Sequence, residues 1–457
     1  MPDLSSIVKA YDVRGVVPAE LDSSVVRAMG VAFARIVAVE GATKVVTAHD
    51  MRESSVPLSR AFAEGVISQG IDVVEAGLGS TDMLYFASGK LGLPGAMFTA
   101  SHNPAQYNGI KLCRAGATPI GQDSGLADVR RIAEELLASG EVPAAEGRTG
   151  EVTSADLLSE YGAYLRQLVD LSGIRSLKVV VDAGNGMGGH TVPAVLAGLP
   201  LDIEALYFEL DGNFPNHEAN PLDPKNLVDL QAAVRKHGAD IGIAFDGDAD
   251  RCFVVDENGA PVSPSAITAL VAVRELARHP GATIIHNCIT SRAVPEIVAE
   301  HGGIPVRTRV GHSFIKAEMA TTGAVFGGEH SAHYYFRDFW NADTGMLAAM
   351  HVLAALGESD QKLSALGAQY ERYIASGEIN STVDDQTARM KLVENTFAGR
   401  DGVEIDHLDG LTVSLADGSW FNLRASNTEP LLRLNVEAAD RDRMAALRDE
   451  VLGLVSS

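Results

Sequence analysis

A repeated alternation of strand-like and helix-like segments most constrains how this chain can fold. In its first occurrence, KVVTAHD (44–50) predicts a strand, SVPLSRAFAEGVISQG (55–70) a helix, and IDVVEAG (71–77) a second strand. The same alternation recurs over residues 177–251 and again over residues 253–356. Strands that alternate with helices form layered units on mainly parallel sheets, because a parallel pair needs a crossover connection. The sequence therefore predicts three α/β domains.

The last part of the chain has a different pattern. Short strand-like segments, from GVEIDHL to LLRLNVEA (402–438), are separated by tight turns, and an amphipathic helix, RDRMAALRDEVLGLV (441–455), follows them. Neighbouring strands joined by tight turns pair in antiparallel fashion. We therefore expect a smaller antiparallel α+β domain after three mixed, mainly parallel α/β domains.

Domain boundaries are placed where the periodic patterns stop. The segment SGEVPAAEGRTGEV (139–152) is small, polar and aperiodic, which is typical of a linker. We predict an α/β domain I over residues 1–148, domain II over 149–253, domain III over 254–365 and the α+β domain IV over 366–457.

The charge of the chain argues against two classes of partner. Its 457 residues carry a formal net charge of −23, so neither nucleic acids nor anionic membrane surfaces are expected to bind it. No apolar stretch is long enough to span a bilayer, and the first residues do not resemble a secretion signal. The 3 cysteines are far apart in sequence and are expected to stay reduced. We expect a cytoplasmic protein that is a monomer or a weak homo-oligomer.

The segment DGDADR is the strongest candidate for a metal site. Asp246, Asp248 and Asp250 alternate along a short loop after a buried strand, so their carboxylates are expected to converge on one hard cation, with Mg²⁺ the best match. An EF-hand is rejected because Arg251 replaces the glycine at its sixth position. A phosphatase with an aspartate nucleophile would carry threonine or valine where Ala249 stands. The remaining alternative is a solvated acidic turn.

The segment FTASHNPAQYNGIK contains a candidate nucleophile. Ser101 lacks the G-x-S-x-G pattern of an acyl hydrolase, because Thr99 and Asn103 stand at its glycine positions. The HNP that follows predicts a turn that presents Ser101, and the side chain of His102 is expected to diverge from it in an extended loop. Lys111 is predicted on a strand that returns to the same loop. Taken alone, the segment is either a capped turn or a serine that carries a phosphoryl group.

Two further loops offer polar side chains. In GGEHSAHYYF, Glu329, Ser331 and His333 occupy alternate positions and are expected to face the same way in an extended loop. A carboxylate and a hydroxyl are good partners for vicinal sugar hydroxyls, and an imidazole exchanges protons near neutral pH. In RASNTEPLLRL, a phosphate pocket is expected from Arg424, Ser426, Asn427 and Thr428. The alternatives are a polar strand edge for the first loop and an ordinary hairpin turn for the second.

Taken in order, these loops resemble those of the α-D-phosphohexomutase superfamily, and most of all its bacterial phosphomannomutase/phosphoglucomutase branch. The similarity extends over essentially the whole chain. The segments that carry it are KAYDVRG (9–15), TASHNP (99–104), NGIK (108–111), DGDADR (246–251), VGHSFIK (310–316), GEHSAH (328–333) and RASNTEP (424–430). The resemblance implies four domains around a central cleft, each of which contributes one loop.

The resemblance also implies which groups carry the chemistry. Ser101 is expected to be phosphorylated in the resting enzyme. The ligands expected for one Mg²⁺ ion are Ser101, Asp246, Asp248 and Asp250. The groups expected in electrostatic or acid–base roles are Tyr11, Arg14, His102, Lys111, Arg251, His312 and His333. Either His333 or Lys111 is expected to accept the hydroxyl proton.

Substrate-binding groups are implied in the same way. The sugar hydroxyls are expected to bind Glu329 and Ser331. The phosphate that does not react is expected to bind Arg424, Ser426, Asn427 and Thr428. One position departs from the family pattern: relatives often carry a lysine after a strand of the third domain, where this chain reads IIHNCITSR. Asn287 or a neighbour is expected to fill that place.

The activity implied by the resemblance is the interconversion of hexose 6-phosphate and hexose 1-phosphate. It would proceed through a hexose 1,6-bisphosphate, which also serves as an activator. Mannose is the expected sugar, and glucose is expected to be accepted as well. The alternatives are a phosphoglucosamine mutase and, from other classes, a metal-dependent sugar-phosphate phosphohydrolase or a sugar-phosphate binder without activity.

Overall fold

The structure is a computed structural model that describes residues 3–140, 148–426 and 431–456. The chain divides into two compact units. The first unit comprises Met1–Val262 with Ser331–Ser364, and the second comprises Ser263–His330 with Ala365–Ser457. The described residues form four β-sheets.

The first sheet lies in the first unit and is mixed. Its strands are β1 (Val13–Val16), β2 (Lys44–His49), β3 (Asp72–Leu78), β4 (Gly95–Phe98), β5 (Tyr107–Arg114), β6 (Thr118–Pro119) and β7 (Val152–Ser154). Their order is β1-β5-β4-β2-β3-β7, with β6 paired to β5. The pairs among β4, β2, β3 and β7 are parallel, whereas β5 is antiparallel to its neighbours. The accompanying helices are α1 (Ser23–Val39), α2 (Ser55–Ile67), α3 (Thr81–Leu91) and α4 (Leu126–Ser139), whereas α5 (Leu158–Leu168), which follows β7, packs mainly against the next helix of the chain.

Strand β7 is a feature that the sequence did not predict. Val152 was expected to close the linker, but it begins a short strand that pairs with β3 and so belongs to the first sheet. All three residues of β7 are exposed, so the segment carries no alternation of buried and exposed positions by which a strand is recognised. The domain boundaries drawn from the sequence stay predictions.

The second sheet, also in the first unit, places the aspartate loop. Its strands are β8 (Leu177–Asp182), β9 (Leu201–Leu206), β10 (Ile241–Phe245), β11 (Cys252–Asp256) and β12 (Pro261–Val262), in the order β12-β11-β10-β8-β9. Its helices are α6 (Gly188–Leu196) and α7 (Val228–His237). Strand β10 is buried throughout, runs parallel to β8 and is antiparallel to β11. Strands β11 and β12 form an antiparallel hairpin.

The third α/β stretch contributes to both units. The second unit contains α8 (Pro264–Arg278), β13 (Thr283–Asn287), α9 (Ala293–Glu300), β14 (Ile304–Thr308), α10 (His312–Thr322) and β15 (Phe326–Gly328). Strands β14 and β15 both run parallel to β13. The first unit contains the antiparallel pair β16 (Tyr334–Phe336) and β17 (Ala342–Asp343), followed by α11 (Gly345–Gly357).

The C-terminal part is the predicted antiparallel α+β module. Its elements are α12 (Leu363–Gly367), β18 (Ile374–Ala375), β19 (Ile379–Thr382), α13 (Gln386–Phe397), β20 (Glu404–Asp406), β21 (Leu411–Ser414), β22 (Trp420–Ala425), β23 (Leu431–Ala438) and α14 (Arg441–Ser456). The strands follow the order β18-β23-β22-β21-β20, with β19 also paired to β23, and every pair is antiparallel. The predicted fold class is confirmed.

The first sheet and the C-terminal sheet each have an apolar core of buried side chains. In the first unit, α1 packs closely on α2, and glycines permit the contact. A Cβ on Gly30 would lie 2.3 Å from the carbonyl oxygen of Phe62, and one on Gly65 would lie 2.2 Å from that of Arg27. Within the described ranges, none of the helices has the length and apolar character required to cross a membrane.

Candidate active site

The loop between β4 and β5 positions Ser101. The main-chain N–H of Ser101 donates to Thr99 Oγ1 at 2.9 Å, and the N–H of Asn103 donates to the carbonyl of Ala100 at 3.0 Å. Ser101 has a φ of 50°, the left-handed region that non-glycine residues rarely adopt. The predicted turn is therefore confirmed. Ser101 is nonetheless 5% exposed, so the turn does not present it to solvent as a loop tip would.

The hydroxyl of Ser101 faces the second sheet. Ser101 Oγ donates to Asp246 Oδ2 at 2.9 Å and lies 3.2 Å from His102 Nδ1. The expectation that the side chains of Ser101 and His102 diverge is wrong, because it assumed an extended loop and the left-handed φ of Ser101 turns the main chain instead. Arg251 Nη2 lies 2.6 Å from the same His102 nitrogen. Burial, together with the positive charges of Arg251 and Arg14, lowers the pKa of His102 well below its usual value.

The loop from β10 to β11 brings the three aspartates together. One carboxylate oxygen from each of Asp246, Asp248 and Asp250 lies within 4.8 Å of the other two, and all three side chains are buried. Lys111 Nζ donates to Asp248 Oδ2 at 2.7 Å and to Asp250 Oδ2 at 2.6 Å. Arg251 Nε donates to Asp246 Oδ2 at 2.8 Å. The predicted convergence of the carboxylates is confirmed, and their role as metal ligands stays a prediction.

Burial and opposite charges shape the titration of this cluster. Burial raises the pKa of Asp246 to about 7, even though Arg251 favours its charged form. Burial also opposes ionisation of Asp248, but the ammonium of Lys111 and a hydrogen bond from Thr81 outweigh it and lower the pKa of Asp248. For Lys111, the adjacent carboxylates outweigh burial and raise the pKa well above its usual value. Without another cation, Lys111 and Arg251 are therefore the counter-charges of the cluster.

The donor atoms of the cluster fit a hard divalent cation. Asp248 Oδ1 and Asp250 Oδ1 are buried and accept no hydrogen bond from any residue that the structure describes. A buried carboxylate oxygen without a partner is costly, and Mg²⁺ prefers oxygen ligands of this kind. This acidic triad is therefore able to hold a metal ion.

Two residues of this site were not predicted from the sequence. Thr81 begins α3, and Arg52 lies just after β2. Thr81 Oγ1 donates to Asp248 Oδ2 at 2.6 Å, and the Thr81 N–H donates to the Asp248 carbonyl at 3.0 Å. Arg52 follows β2 and contacts the main chain of the Ser101 loop. The only available signal was their position after the carboxyl ends of parallel strands, where α/β proteins place functional groups.

Residues from two other parts of the first unit complete the surroundings of Ser101. Arg14, on β1, donates to Asn103 Oδ1 at 2.5 Å, while Tyr11 lies half-buried just before that strand. His333 Nδ1 lies 2.9 Å from Ser331 Oγ, and its Nε2 lies 3.7 Å from Asp250 Oδ1. The side chains of Ser331 and His333 are thus in contact, but the residue between them has a positive φ, so the loop is not the extended one from which a common direction for Glu329, Ser331 and His333 was expected.

In the second unit, Glu329 is the centre of a separate polar group. It follows β15, is 2% exposed, and its Oε1 accepts hydrogen bonds from Asn287 Nδ2 at 3.1 Å and from the Gly311 N–H at 3.0 Å. Thr290 Oγ1 donates to Asn287 Oδ1 at 2.8 Å, which keeps the Asn287 amide turned towards Glu329. His312 begins α10 directly after Gly311. That Asn287 or a neighbour stands where relatives often carry a lysine stays a prediction.

The predicted phosphate pocket is described only in part. Arg424, on β22, contacts Asp409 Oδ2 at 3.4 Å and Glu378 Oε2 at 3.8 Å, so two carboxylates orient its guanidinium. The N–H of Ser426 donates to the carbonyl of Leu431 at 2.8 Å. Asn427 and Thr428 lie outside the described residues.

Comparison with known proteins assigns the chain to a family. Models of phosphoglucomutase/phosphomannomutase match four consecutive segments: α/β/α domain I at residues 5–137, domain II at 159–259, domain III at 263–373 and the C-terminal domain at 378–454. The chain is 42% identical over 433 residues to phosphohexose mutases of Xanthomonas campestris, and 94% of each chain is covered. It is 40% identical over 438 residues to a phosphomannomutase of Escherichia coli K12, again with 94% of each chain covered.

A solved structure agrees with these matches. The crystal structure of a phosphoglucomutase/phosphomannomutase family protein from Burkholderia thailandensis superposes with a TM-score of 0.89 at 33% identity, covering 99% of this chain and 98% of that one. At these identities and coverages the chain belongs to the phosphoglucomutase/phosphomannomutase family, and it is a phosphohexomutase.

Proposed function

We propose that this enzyme interconverts hexose 6-phosphate and hexose 1-phosphate, with mannose as its main sugar and glucose as a second one. The observation that carries the proposal is the placement of one hydroxyl: Ser101 Oγ contacts Asp246 Oδ2 at 2.9 Å, while Arg251 and Lys111 bind the same aspartate cluster. A phosphoryl group on that oxygen would enter a site with both carboxylate ligands for a cation and fixed positive side chains. The preference for mannose is supported by the names of relatives such as the Escherichia coli phosphomannomutase.

The proposed reaction begins with a phosphoryl group on Ser101. The bond between Ser101 Oγ and phosphorus breaks as the free hydroxyl of a hexose monophosphate bonds to the phosphorus. The proton of that hydroxyl passes to His333, since Lys111, whose pKa is raised well above its usual value by the adjacent carboxylates, already carries its proton. The resulting hexose 1,6-bisphosphate reorients end over end in the site. Ser101 Oγ then bonds to the other phosphorus as the bond from that phosphorus to the sugar oxygen breaks, and the proton returns to that oxygen, which releases the isomeric monophosphate. Lys111, Arg251 and Arg14 supply positive potential where negative charge develops.

One Mg²⁺ ion is the proposed cofactor. Its proposed ligands are Ser101, Asp246, Asp248 and Asp250. The chemistry that a bound Mg²⁺ supplies is neutralisation of negative charge on the transferring phosphoryl group. Hexose 1,6-bisphosphate is proposed as the intermediate and as an activator that restores the phosphoryl group to Ser101.

Substrate recognition is proposed to depend on two sets of side chains. Glu329 and Ser331 would bind the sugar hydroxyls at O3 and O4, which occupy similar positions in both binding poses. The set proposed for the phosphate that does not react is Arg424, Ser426, Asn427 and Thr428. Tyr11 and His312 are proposed to line the site. Because none of these groups is assigned to the substituent at C2, glucose and mannose would both be accepted.

Product analysis tests the proposal. The protein is incubated with mannose 1-phosphate and Mg²⁺, with a trace of hexose 1,6-bisphosphate, and the products are resolved by ³¹P NMR. Mannose 6-phosphate is the expected product. Release of inorganic phosphate would indicate a phosphohydrolase, and a binding protein would leave the mannose, glucose and glucosamine phosphates all unchanged. The same assay with glucose and glucosamine phosphates measures the sugar preference and distinguishes a phosphoglucosamine mutase.

A further inference from the structure

Arg52 has an unusual set of contacts with the Ser101 loop. Its side chain is buried, with 2% of the residue exposed. Every hydrogen on the guanidinium nitrogens has an acceptor, since Nε carries one and each Nη carries two. The acceptors are Asp50 Oδ2 at 3.2 Å for Nε, the carbonyls of Pro104 at 2.9 Å and Tyr107 at 3.0 Å for Nη1, and the carbonyls of Ser101 at 2.9 Å and Asn103 at 2.7 Å for Nη2.

These four carbonyls belong to residues 101–107, a segment that is irregular until β5 begins at Tyr107 and whose main-chain hydrogen bonds, from Asn103 to Ala100 and from Tyr107 to Pro104, form isolated turns. Ser101 begins the segment in a left-handed conformation, with a φ of 50°. A non-glycine residue persists in this conformation only when its surroundings hold it there. The carbonyl of Ser101 itself is one of the four acceptors, so the guanidinium directly fixes the peptide that orients Ser101 Oγ.

Arg52 is itself held from the opposite side. The ring of Phe214 lies over its guanidinium, 5.1 Å from Cζ to the ring centre, as in a cation–π contact. A Cβ on Gly212 would lie 2.8 Å from Arg52 Cα, so the 212–214 segment packs against Arg52 at close range. Asp50 is fixed in turn, because it accepts from Ser55 Oγ at 2.6 Å. The guanidinium therefore has a single position.

We propose that Arg52 is a positioning residue for phosphoryl transfer: it fixes the main chain of the Ser101 loop, and Phe214 fixes Arg52. The inference rests on the proposed function, in which Ser101 carries the phosphoryl group. All five guanidinium hydrogens of Arg52 are donated to Asp50 and the four carbonyls, so none is left for the Ser101 hydroxyl or the aspartates of residues 246–250, and Arg52 acts through the loop. Its effect is to keep Ser101 Oγ against Asp246 while the phosphoryl group leaves and returns.

Arg52→Lys is the main test. Lysine keeps the positive charge beside Asp50, but its three hydrogens share one nitrogen and do not reproduce a planar fork to four carbonyls. We expect kcat to fall about 100-fold, the size of effect produced by a misplacement of about 1 Å at the reacting groups. The KM for mannose 1-phosphate and the affinity for Mn²⁺ should change less than about threefold, because neither ligand binds Arg52. Arg60→Lys, an exposed arginine on α2, is the matched control and should behave as the wild type.

Hydrogen exchange gives a readout that does not depend on turnover. In Arg52→Lys, amide exchange should become faster over residues 101–107 and remain unchanged over the aspartate loop at residues 246–251. A variant that is only less stable would instead show faster exchange in both segments. That pattern, or a kcat within about threefold of wild type in a folded protein, would overturn the inference.

Phe214→Leu provides a second test if Arg52→Lys does not fold. It leaves every hydrogen bond of Arg52 possible and removes only the aromatic face. We expect kcat to fall about fivefold, the loss of a contact worth about 1 kcal/mol, with KM unchanged. An unchanged kcat would overturn the inference. A wild-type protein that turns over without phosphate on Ser101 would refute the proposed function instead, so the two failures are distinguishable.

Discussion

Asp82 provides a quantitative test of how burial in the first unit changes the pKa of a carboxyl group and, through it, the stability of the fold. It lies in the first turn of α3 and is 1% exposed. Its Oδ2 accepts hydrogen bonds from Tyr161 Oη at 2.7 Å and Thr344 Oγ1 at 2.6 Å, and Ser80 Oγ donates to its Oδ1. All three partners are hydroxyls, which can rotate to accept as well as donate. Asp82→Asn therefore preserves the shape and the partners of the side chain and removes only its titration.

The expected effect follows from the pKa of Asp82. Burial raises that pKa from 3.8 to about 6, despite the three hydroxyl donors. A raised pKa means that the folded chain binds the proton more tightly than the unfolded chain does. The resulting stability is complete below pH 3.8 and is lost as the pH rises through about 6. In total, protonation of Asp82 adds about 3 kcal/mol to the free energy of unfolding at low pH. About 1.4 kcal/mol of this contribution is lost between about pH 5 and pH 8.

The two tryptophans of the chain make the measurement possible, because Trp340 lies in the first unit and Trp420 in the second. In a Trp420→Phe background, urea unfolding followed by fluorescence reports on the first unit alone. The measured quantity is the free energy of unfolding of Asp82→Asn minus that of the parent. We expect this difference to be about 1.4 kcal/mol more positive at pH 8 than at pH 5. Because the variant is compared with the parent at each pH, the contributions of the other titrating groups to the free energy of unfolding cancel.

The control is Asp128→Asn, which makes the same chemical change at an exposed position in the first turn of α4. It measures how replacing aspartate by asparagine changes the free energy of unfolding at a position outside the buried cluster. A difference between the two pH values below about 0.3 kcal/mol for Asp82→Asn, or one of the opposite sign, would refute the argument that burial dominates the pKa of Asp82.

Three further predictions concern the site itself. Ser101→Ala should abolish turnover, and mass spectrometry should find phosphate on that serine in the parent only; an active variant would contradict the assignment. Thr81→Val removes the hydroxyl that donates to Asp248, and we expect Mn²⁺ affinity by electron paramagnetic resonance to fall about tenfold, with Thr81→Ser close to the parent. Equal affinities for all three proteins would refute this role. Arg424→Ala should weaken the binding of mannose 1-phosphate and of mannose 6-phosphate alike, by about 2 kcal/mol or roughly thirtyfold. Steady-state kinetics that show a loss for only one monophosphate would disprove a shared phosphate pocket.

Features that depend on a few neighbouring residues were predictable from the sequence. The run IGIAF predicts a buried strand, and the structure buries every residue of β10. Asp246, Asp248 and Asp250 lie within five consecutive positions, so the turn between two paired strands is sufficient to bring their carboxylates together. The antiparallel C-terminal sheet followed for the same reason, since tight turns join its strands.

Contacts between distant segments were decided by the tertiary structure. Ser101 contacts Asp246, and Lys111 on β5 contacts Asp248, only because segments of two separate sheets pack together. The resemblance to a family implied that these residues share a site, but no local pattern determined which atoms touch. The position of Thr81 after a parallel strand did not identify Asp248 as its partner, because a threonine at the start of a helix has the same sequence pattern whether or not it binds a distant carboxylate.

The main-chain conformation of the loops was also outside the reach of the sequence. Ser101 has a left-handed φ, although nothing in its residue type favours one, and this turn is what brings its side chain to His102. Arg52 binds four main-chain carbonyls of that loop, a pattern that involves no side chain that a sequence motif could record. Sequence determines which side chains are present and the period with which they repeat. The strained conformations of a functional loop depend on distant residues that hold them in place, and only the folded chain brings those residues together.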